Sequence, residues 1–473
     1  MKRRNVRLAS TVAFILSTCA LHAGESETVV RLLDLLKAKG IITEQEASDF
    51  LNEAVSEGSP AESTQETEKA SEKKEPQAST PKKEEVPMNR SFASVKEKLS
   101  LGGDLRLRYD SQRRDLGNDL NWDRRRPRFR LRFGLKAQPT ETTEVGLRLA
   151  SGSGFQNTTN QSFGEHGRGK QVFIDRVYGS WQPARWLKVI GGKHQNIFFT
   201  SGLVWDPDVN LEGASESLTY KGENFQLFSN LTQFVLGELD LKGKSNSDPI
   251  MLGYQGGFSV TPVKGTTIEI GTTFYDYRSL DLFSSSGLGD NSTFVGYNQA
   301  HGQQMVFDSS GNLLNRFGSI DVGAELRLSK LLPMPLSFFG HYIQNLRADI
   351  DKLQREGVTV GGSDPSALAV YGRDNRDSGY QFGVGFGYRG KRGDLHLQYF
   401  YQALEDFAFP AVFVDSDFHG GGTNNRGHSA RVNYFLTDNI FLQGSFFVTR
   451  RDNEAKDGKQ DENRTQLDVV FAF

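Results

Sequence analysis

The sequence predicts an all-β fold: a transmembrane antiparallel β-barrel of about sixteen strands, preceded by a short periplasmic α-helical segment and a disordered linker. Three observations carry this. Apolar and polar residues alternate with a period of two from residue 99 to the C-terminus. The connections between the alternating segments are short and long in turn. The last segment, Arg464 to Phe473, is itself amphipathic and ends on phenylalanine. Successive side chains of a strand point to opposite faces, so the alternation gives each segment one apolar and one polar face.

Composition agrees with a barrel and excludes a helical membrane protein. Of the 473 residues 37% are hydrophobic and the mean hydropathy is −0.50. Beyond the N-terminal stretch no run approaches the roughly 20 consecutive apolar residues of a spanning helix. Barrel strands keep the mean hydropathy low because half of their side chains face water. The 50 glycines, 34 phenylalanines and 14 tyrosines suit extended segments.

Residues 1–23 read as an export signal. Lys2, Arg3, Arg4 and Arg7 precede the apolar run Val12 to Leu16, and small residues follow up to Ala23. Losing these four positive charges and no negative ones takes the formal charge from −2 to −6. A mildly acidic chain gives no footprint for nucleic acid. The one cysteine, Cys19, falls inside this segment, so the processed chain is expected to hold no disulfide. Leu16-Ser17-Thr18-Cys19 is a poor lipoprotein box because threonine precedes the cysteine, which favours cleavage near Ala23.

Residues 24–57 carry a helical period, with Val29, Leu32, Leu33 and Leu36, then Ala47, Phe50 and Leu51. Gly40 ends the first helix, and Thr43 with Glu46 forms a capping box for the second. Helices this short bury too little surface to stand alone. They are expected to associate with copies of themselves or to dock on a cell-wall or periplasmic partner; a partly ordered tail is the other reading. Residues 58–98, rich in Glu, Lys, Ser, Thr, Pro and Ala, are a solvated linker.

Residues 99–473 are the barrel. Strands are expected at 99–110, 127–138, 142–152, 171–182, 185–195, 213–221, 224–235, 251–261, 265–277, 318–329, 335–346, 380–389, 393–403, 428–436, 439–450 and 464–473. Each is close to the roughly 9 to 11 residues that a tilted membrane strand needs. Tight turns such as Pro183-Ala184 and Thr437-Asp438 alternate with long polar loops, the largest near 278–317 and 347–379. That asymmetry belongs to outer-membrane barrels, with the turns facing the periplasm.

Pro127 to Gln138 shows the pattern most clearly. Phe129, Leu131, Phe133 and Leu135 share one face; Arg128, Arg130, Arg132 and Lys136 share the other. In a soluble sandwich the apolar face would be core and the arginines merely wet. In a membrane barrel the apolar face meets lipid and the arginines line the lumen, because an arginine facing lipid at mid-membrane costs about 2–4 kcal/mol. The same phase turns Arg106, Arg108 and Arg148 inward, giving a cationic wall on three neighbouring strands.

Other chemistry finds little support. His428 and Ser429 are adjacent and so point to opposite faces of a strand, and no third member completes a triad. The remaining histidines lack metal spacing. Asp206, Asp208, Asn210 and Glu212 alternate like oxygen ligands for calcium, but Pro207 and the missing twelfth-position carboxylate argue against an EF-hand. No cofactor is implied. Trp181, Trp186, Tyr399, Tyr401 and Phe441 read as an interfacial girdle.

The stretches DLLKAKGIITEQEASDF, GGDLRLRYD, RPRFRLRFGLKA, VGLRLASGSG with TTNQSFG, IDRVYGSW and VWDPDVNLEGA resemble a porin family of Gram-negative-type outer membranes. The resemblance is best in the first half of the barrel and continues only as pattern beyond Tyr254. It implies an outer-membrane channel but says little about selectivity; the reading of the whole chain is a porin, expected to be a homotrimer, for passive diffusion of small hydrophilic solutes and ions. In general porins the third long loop folds into the barrel and sets acids against a basic wall. The loop from His194 to Glu212 has that order and carries Asp206, Asp208 and Glu212, so it is expected to face the six arginines across a constriction. The closing strand with Phe471 and Phe473 resembles the signal read by the barrel-assembly machinery. Two other roles compete with this one: a structural tether acting through residues 24–57, and a barrel-borne hydrolase. The charges leave anion against cation preference open.

Overall fold

Period-two alternation becomes strand throughout. The computed structural model describes residues 99–473 apart from 118–119, 153–154, 239–247, 284–289, 302, 331–332, 360–363 and 455–457. The export signal, helical pair and linker expected over residues 1–98 lie outside the described residues, and so does the tether reading that rests on them.

The strands are β1 (Leu99–Asp115), β2 (Asn121–Thr140), β3 (Thr143–Ser151), β4 (Gln161–Ser162), β5 (Val172–Ala184), β6 (Leu187–Gln195), β7 (Asn210–Lys221), β8 (Phe225–Val235) and β9 (Ile250–Val263). After them come β10 (Thr266–Arg278), β11 (Gly318–Leu328), β12 (Leu336–Asn345), β13 (Ser378–Gly387), β14 (Leu395–Leu404), β15 (Asn425–Phe435), β16 (Ile440–Arg451) and β17 (Asp461–Ala472). They form one 17-stranded sheet. With the two-residue β4 set aside, sixteen long antiparallel strands remain among the described residues.

β1 pairs with both β2 and β17, which closes the sheet. The terminal residue completes the seam: the Phe473 N–H donates to the Gly103 carbonyl at 3.0 Å, and the Phe473 carbonyl accepts from Gly103 at 2.8 Å. Closure leaves no row of unpaired backbone groups in hydrocarbon. Gly103 is needed at this seam, because an added Cβ would lie 2.2 Å from the Arg132 carbonyl oxygen and 2.8 Å from the Phe473 ring.

β2 extends past Pro127 to Asn121, beyond the expected start. Pairing of β3 with β2 ends at Arg132 and Ala150, and past that level only the short β4 meets β2 on that side. A strand edge of this kind tolerates a residue without an N–H. The long loops, expected as irregular, contain α1 (Asp290–Ala300) and α2 (Ile350–Glu356). The Asp349 carboxylate caps α2 by accepting from the Lys352 N–H at 2.9 Å.

The two faces separate as the alternation requires. Leu107, Tyr109, Leu131 and Phe133 are exposed on the outside, while Arg106, Arg108 and Arg128 are buried inside. Phe441 departs from the expected girdle: it lies opposite inward Val470 and stacks on Phe435 at 4.9 Å. The largest apolar cluster of the described residues also lies within the barrel. There Tyr275 of β10, Phe234 of β8 and Ile343 of β12 pack against Phe198, Leu203 and Trp205 from loop 196–209 and against Phe409 and Phe413 from loop 405–424.

Candidate functional site

The inward positions of β1 and β2 meet in register: Asp104 with Arg132, Arg106 with Arg130, Arg108 with Arg128 and Asp110 with Arg126. Directly opposed like charges repel, so two arginine pairs at adjacent inward levels need acids nearby. These come from three places. β1 contributes Asp104, which accepts from Arg130 at 2.7 Å and Arg132 at 2.6 Å, and Asp110, which accepts from Arg126 at 3.0 Å and Arg464 at 2.9 Å. β17 contributes Asp468, which takes two hydrogen bonds of 2.8 Å from Arg108 in fork geometry, and Glu462, 2.5 Å from Arg114. The loops contribute Asp417, 3.1 Å from Arg108 and 3.2 Å from Arg464, and Asp208, 3.4 Å from Arg132 and 3.9 Å from Arg130.

Arg148 lies one strand further on and is ion-paired with Asp175. A register shift in the β3–β5 pairing lets neighbouring Asp175 and Arg176 both reach Asn210, at 2.7 Å each.

Loop 196–209 crosses the interior to reach this wall. Phe199 exchanges hydrogen bonds with the Gln255 side chain on β9, at 2.9 and 3.0 Å. Trp205 then packs edge-on against Tyr275 and Phe409, with ring centroids 5.8 and 5.4 Å apart, and lies 4.8 Å from the Phe413 ring. The Asp206 N–H donates to the Phe413 carbonyl at 2.7 Å, and its carboxylate accepts from the Ser416 N–H at 2.8 Å. Asp208 accepts from the Thr159 hydroxyl at 3.0 Å before meeting the arginines.

The four loop acids divide by charge. Burial pushes the Asp208 carboxyl up, but Arg130, Arg132 and Arg106 outweigh it and hold the pKa below the usual carboxylate range. Burial opposes Asp417 in the same way, and Arg108 and Arg464 hold it well below. Burial and the neighbouring Asp415 and Asp208 raise Asp206 well above the ordinary value. Asp415, buried beside Asp417, is pushed up to about 6.

Two cavities border the wall. The one at the long-loop end, of about 780 Å³, is lined by Arg124, Arg126 and Arg128. The one toward the tight turns, of about 270 Å³, is lined by Lys136, Arg148, Arg176 and Lys188. Arg130 and Arg132, between those levels on β2, line neither.

Arg106, Arg108, Arg128, Arg130, Arg132 and Asp208 therefore gather at one place, and Arg148 adjoins it. Asp206 points into the contact between the two loops. Glu212 does not belong to the group. It sits on β7, as His194 sits on β6, and the strand turns Leu211 and Ser215 inward, so Glu212 faces outward and pairs with Lys193 at 2.5 Å. The four residues that alternate like calcium ligands turn to different partners: Asp206 to Ser416, Asp208 to Thr159 and Arg132, Asn210 to Asp175, and Glu212 to Lys193. His428 meets the Tyr399 hydroxyl at 2.7 Å on the outer face, while Ser429 is buried on the other.

Residues 118–314 and 284–469 match the model of a family described as "Putative porin", and together the matches reach from 118 to 469 of 473 residues. The chain belongs to this porin family. The barrel is an outer-membrane channel, with the closed antiparallel sheet of that family.

Solved structures with a similar fold include Pseudomonas putida OprB (12% identity, 80% of this chain and 95% of that one, TM-score 0.49). Salmonella typhi OmpF gives 10% identity over 79% of this chain and 97% of that one, with a TM-score of 0.44. The outer membrane channel DcaP of Acinetobacter baumannii gives 15%, 79%, 97% and 0.42 in the same order. No curated protein matches the sequence.

Sequence reasoning missed Arg124, Arg126, Arg464, Asp104, Asp110 and Asp468, although all follow the same two-residue period. It also missed Asp417, for which no periodic signal exists.

Proposed function

We propose that this porin passes small hydrophilic solutes and ions by passive diffusion along the arginine wall, and that its narrowest section lies where Asp208 meets Arg130 and Arg132. One observation carries the reading: the loop acid is seated against those two arginines at the level between the two cavities. The apolar cluster occupies the side of the interior near β8, β10 and β12, which directs the path to the opposite, charged side. Guanidiniums alternating with carboxylates impose a transverse field that orders water and disfavours apolar solutes. Arg128 and Arg108 lie above the narrow section, Arg106 beside it and Arg148 below.

Conductance and reversal potential across a salt gradient test this reading, wild type against Arg128→Gln/Arg130→Gln/Arg132→Gln. A changed conductance and a shift toward cations are expected. Unchanged values would remove the arginine wall from the pore.

The homotrimer expected from the resemblance finds support outside the barrel. Glu216 and Glu212 of β7 and Lys193 of β6 point away from the lumen, on the outer face that also carries exposed Val177, Tyr220, Leu227 and Leu231. Acids in hydrocarbon are costly, so we infer that neighbouring copies cover this strip. Phe471, on the outer face, and exposed Phe473 would serve as the segment read by the assembly machinery.

A further inference from the structure

The cavity at the long-loop end has a composition that the pore reading alone does not require. Arg124, Arg126 and Arg128, successive inward residues of β2, stand there with Arg464 of β17; beside them lie the rings of Trp122, next in the same phase of β2, and of Phe155 and Tyr297 from the long loops. The neighbouring acids do not balance the guanidiniums. Arg126 and Arg464 share Asp110, and Asp417 is divided between Arg464 and Arg108. Arg128 is poorly matched: Asp110 stands at 3.7 Å, the Asn160 carbonyl at 3.5 Å, and its buried Nε has no hydrogen-bond partner in the protein. Arg124 meets no acid among the described residues. A buried guanidinium with an unused donor is a standing site for an anion, and its planar fork suits a carboxylate.

The rings narrow the choice of anion. Phe155 is 49% exposed although its ring lies only 6.2 Å from Tyr297, and Tyr297 stacks on His301 at 3.8 Å. Trp122 lies under the Arg114 guanidinium at 5.5 Å. A small inorganic anion would use the arginines and leave these rings wet, whereas a neutral arene would use the rings and leave the arginines unsatisfied. A solute carrying both a ring and a carboxylate engages the rings and the arginines together, and about 780 Å³ is within the range of about 300–1,000 Å³ that suits small organic ligands.

We propose that this cavity is a capture site for aromatic carboxylates entering from the long-loop end. The proposal rests on the pore reading for its purpose but not for its chemistry. Captured anions stand above Arg130 and Arg132, and beyond them Arg148, Arg176 and Lys188 continue the cationic track.

The test uses the full-length protein in two measurements. In a planar bilayer, benzoate is compared with phosphate, cyclohexanecarboxylate and benzamide for brief interruptions of the current. In detergent, calorimetry measures benzoate binding directly. Benzoate should act at concentrations about tenfold below phosphate and benzamide. Phe155→Ala should reduce the preference over cyclohexanecarboxylate, and Arg128→Gln should abolish benzoate binding. Equal action of benzoate and phosphate would overturn the aromatic part, equal action of benzamide the anionic part, and normal current steps without benzoate binding the whole proposal. Binding without current steps would instead leave the capture site standing and remove the pore.

Discussion

Arg108 shows how firmly the wall is built. Its guanidinium is buried between Asp468 and Asp417, and the Asp468 carboxylate is likewise out of water. Replacing one partner of a buried pair leaves the other charge unpaired, at about 3–5 kcal/mol. Arg108→Gln is therefore expected to lower the temperature at which the folded form is lost in heat-shift electrophoresis, whereas Arg125→Gln, exposed on the outside beside Asp123, should leave it unchanged. Asp208 should act on selectivity instead: Asp208→Asn frees Arg130 and Arg132 from the loop acid, and the reversal potential should move toward anions. At this scale the sequence was legible for side-chain phase in the arginine-rich runs, while Asp104, Asp110 and Asp468, in the same phase, were passed over because phase gives the face and not the partner. It placed Arg106, Arg108, Arg128, Arg130 and Arg132 on one face, because period two is a property of the strand alone. It put Glu212 with the loop acids because nothing local marks that β7 begins at Asn210. Asp417 escaped because its partners lie 309 and 47 residues away along the chain.

The element most open to test is the clasp between loops 196–209 and 405–424. Trp205 is buried among three aromatic rings there, and truncating such a residue costs about 3–5 kcal/mol. Trp205→Ala should raise hydrogen exchange in both loops while exchange in the strands stays slow. The clasp is also tied to pH through Asp206 and Asp415. Both carboxyls have raised pKa values, so their contribution to the contact is full below the ordinary carboxylate value and is lost as the pH rises, for Asp415 through about 6. Exchange in the 405–424 loop, corrected for its intrinsic rate, should be slower at pH 5 than at pH 7.5, and Asp415→Asn should flatten the difference. Faster protection at the higher pH would reverse the assigned sign. The strands were readable as elements; this clasp was not, since the apolar run Ala408 to Val414 carries no period and its partners sit on distant strands.

On the scale of the molecule, β1 closing on β17 follows from one requirement, that every backbone group in the bilayer be paired, and the antiparallel sense of that closing pair makes the number of long strands among the described residues even. Lys193, Glu212 and Glu216 form an outward charged strip, and the explanation proposed for it is another copy of the chain. A label on Glu216→Cys should be shielded from a quencher carried in the lipid and should cross-link neighbouring copies; full quenching without cross-links would place the strip in lipid and remove the support for an interface. The central claim concerns transport. Purified protein added to a planar bilayer should give discrete, long-lived current steps whose size scales with salt concentration. Folded protein that inserts and leaves the membrane silent would contradict a diffusion pore along the arginine wall.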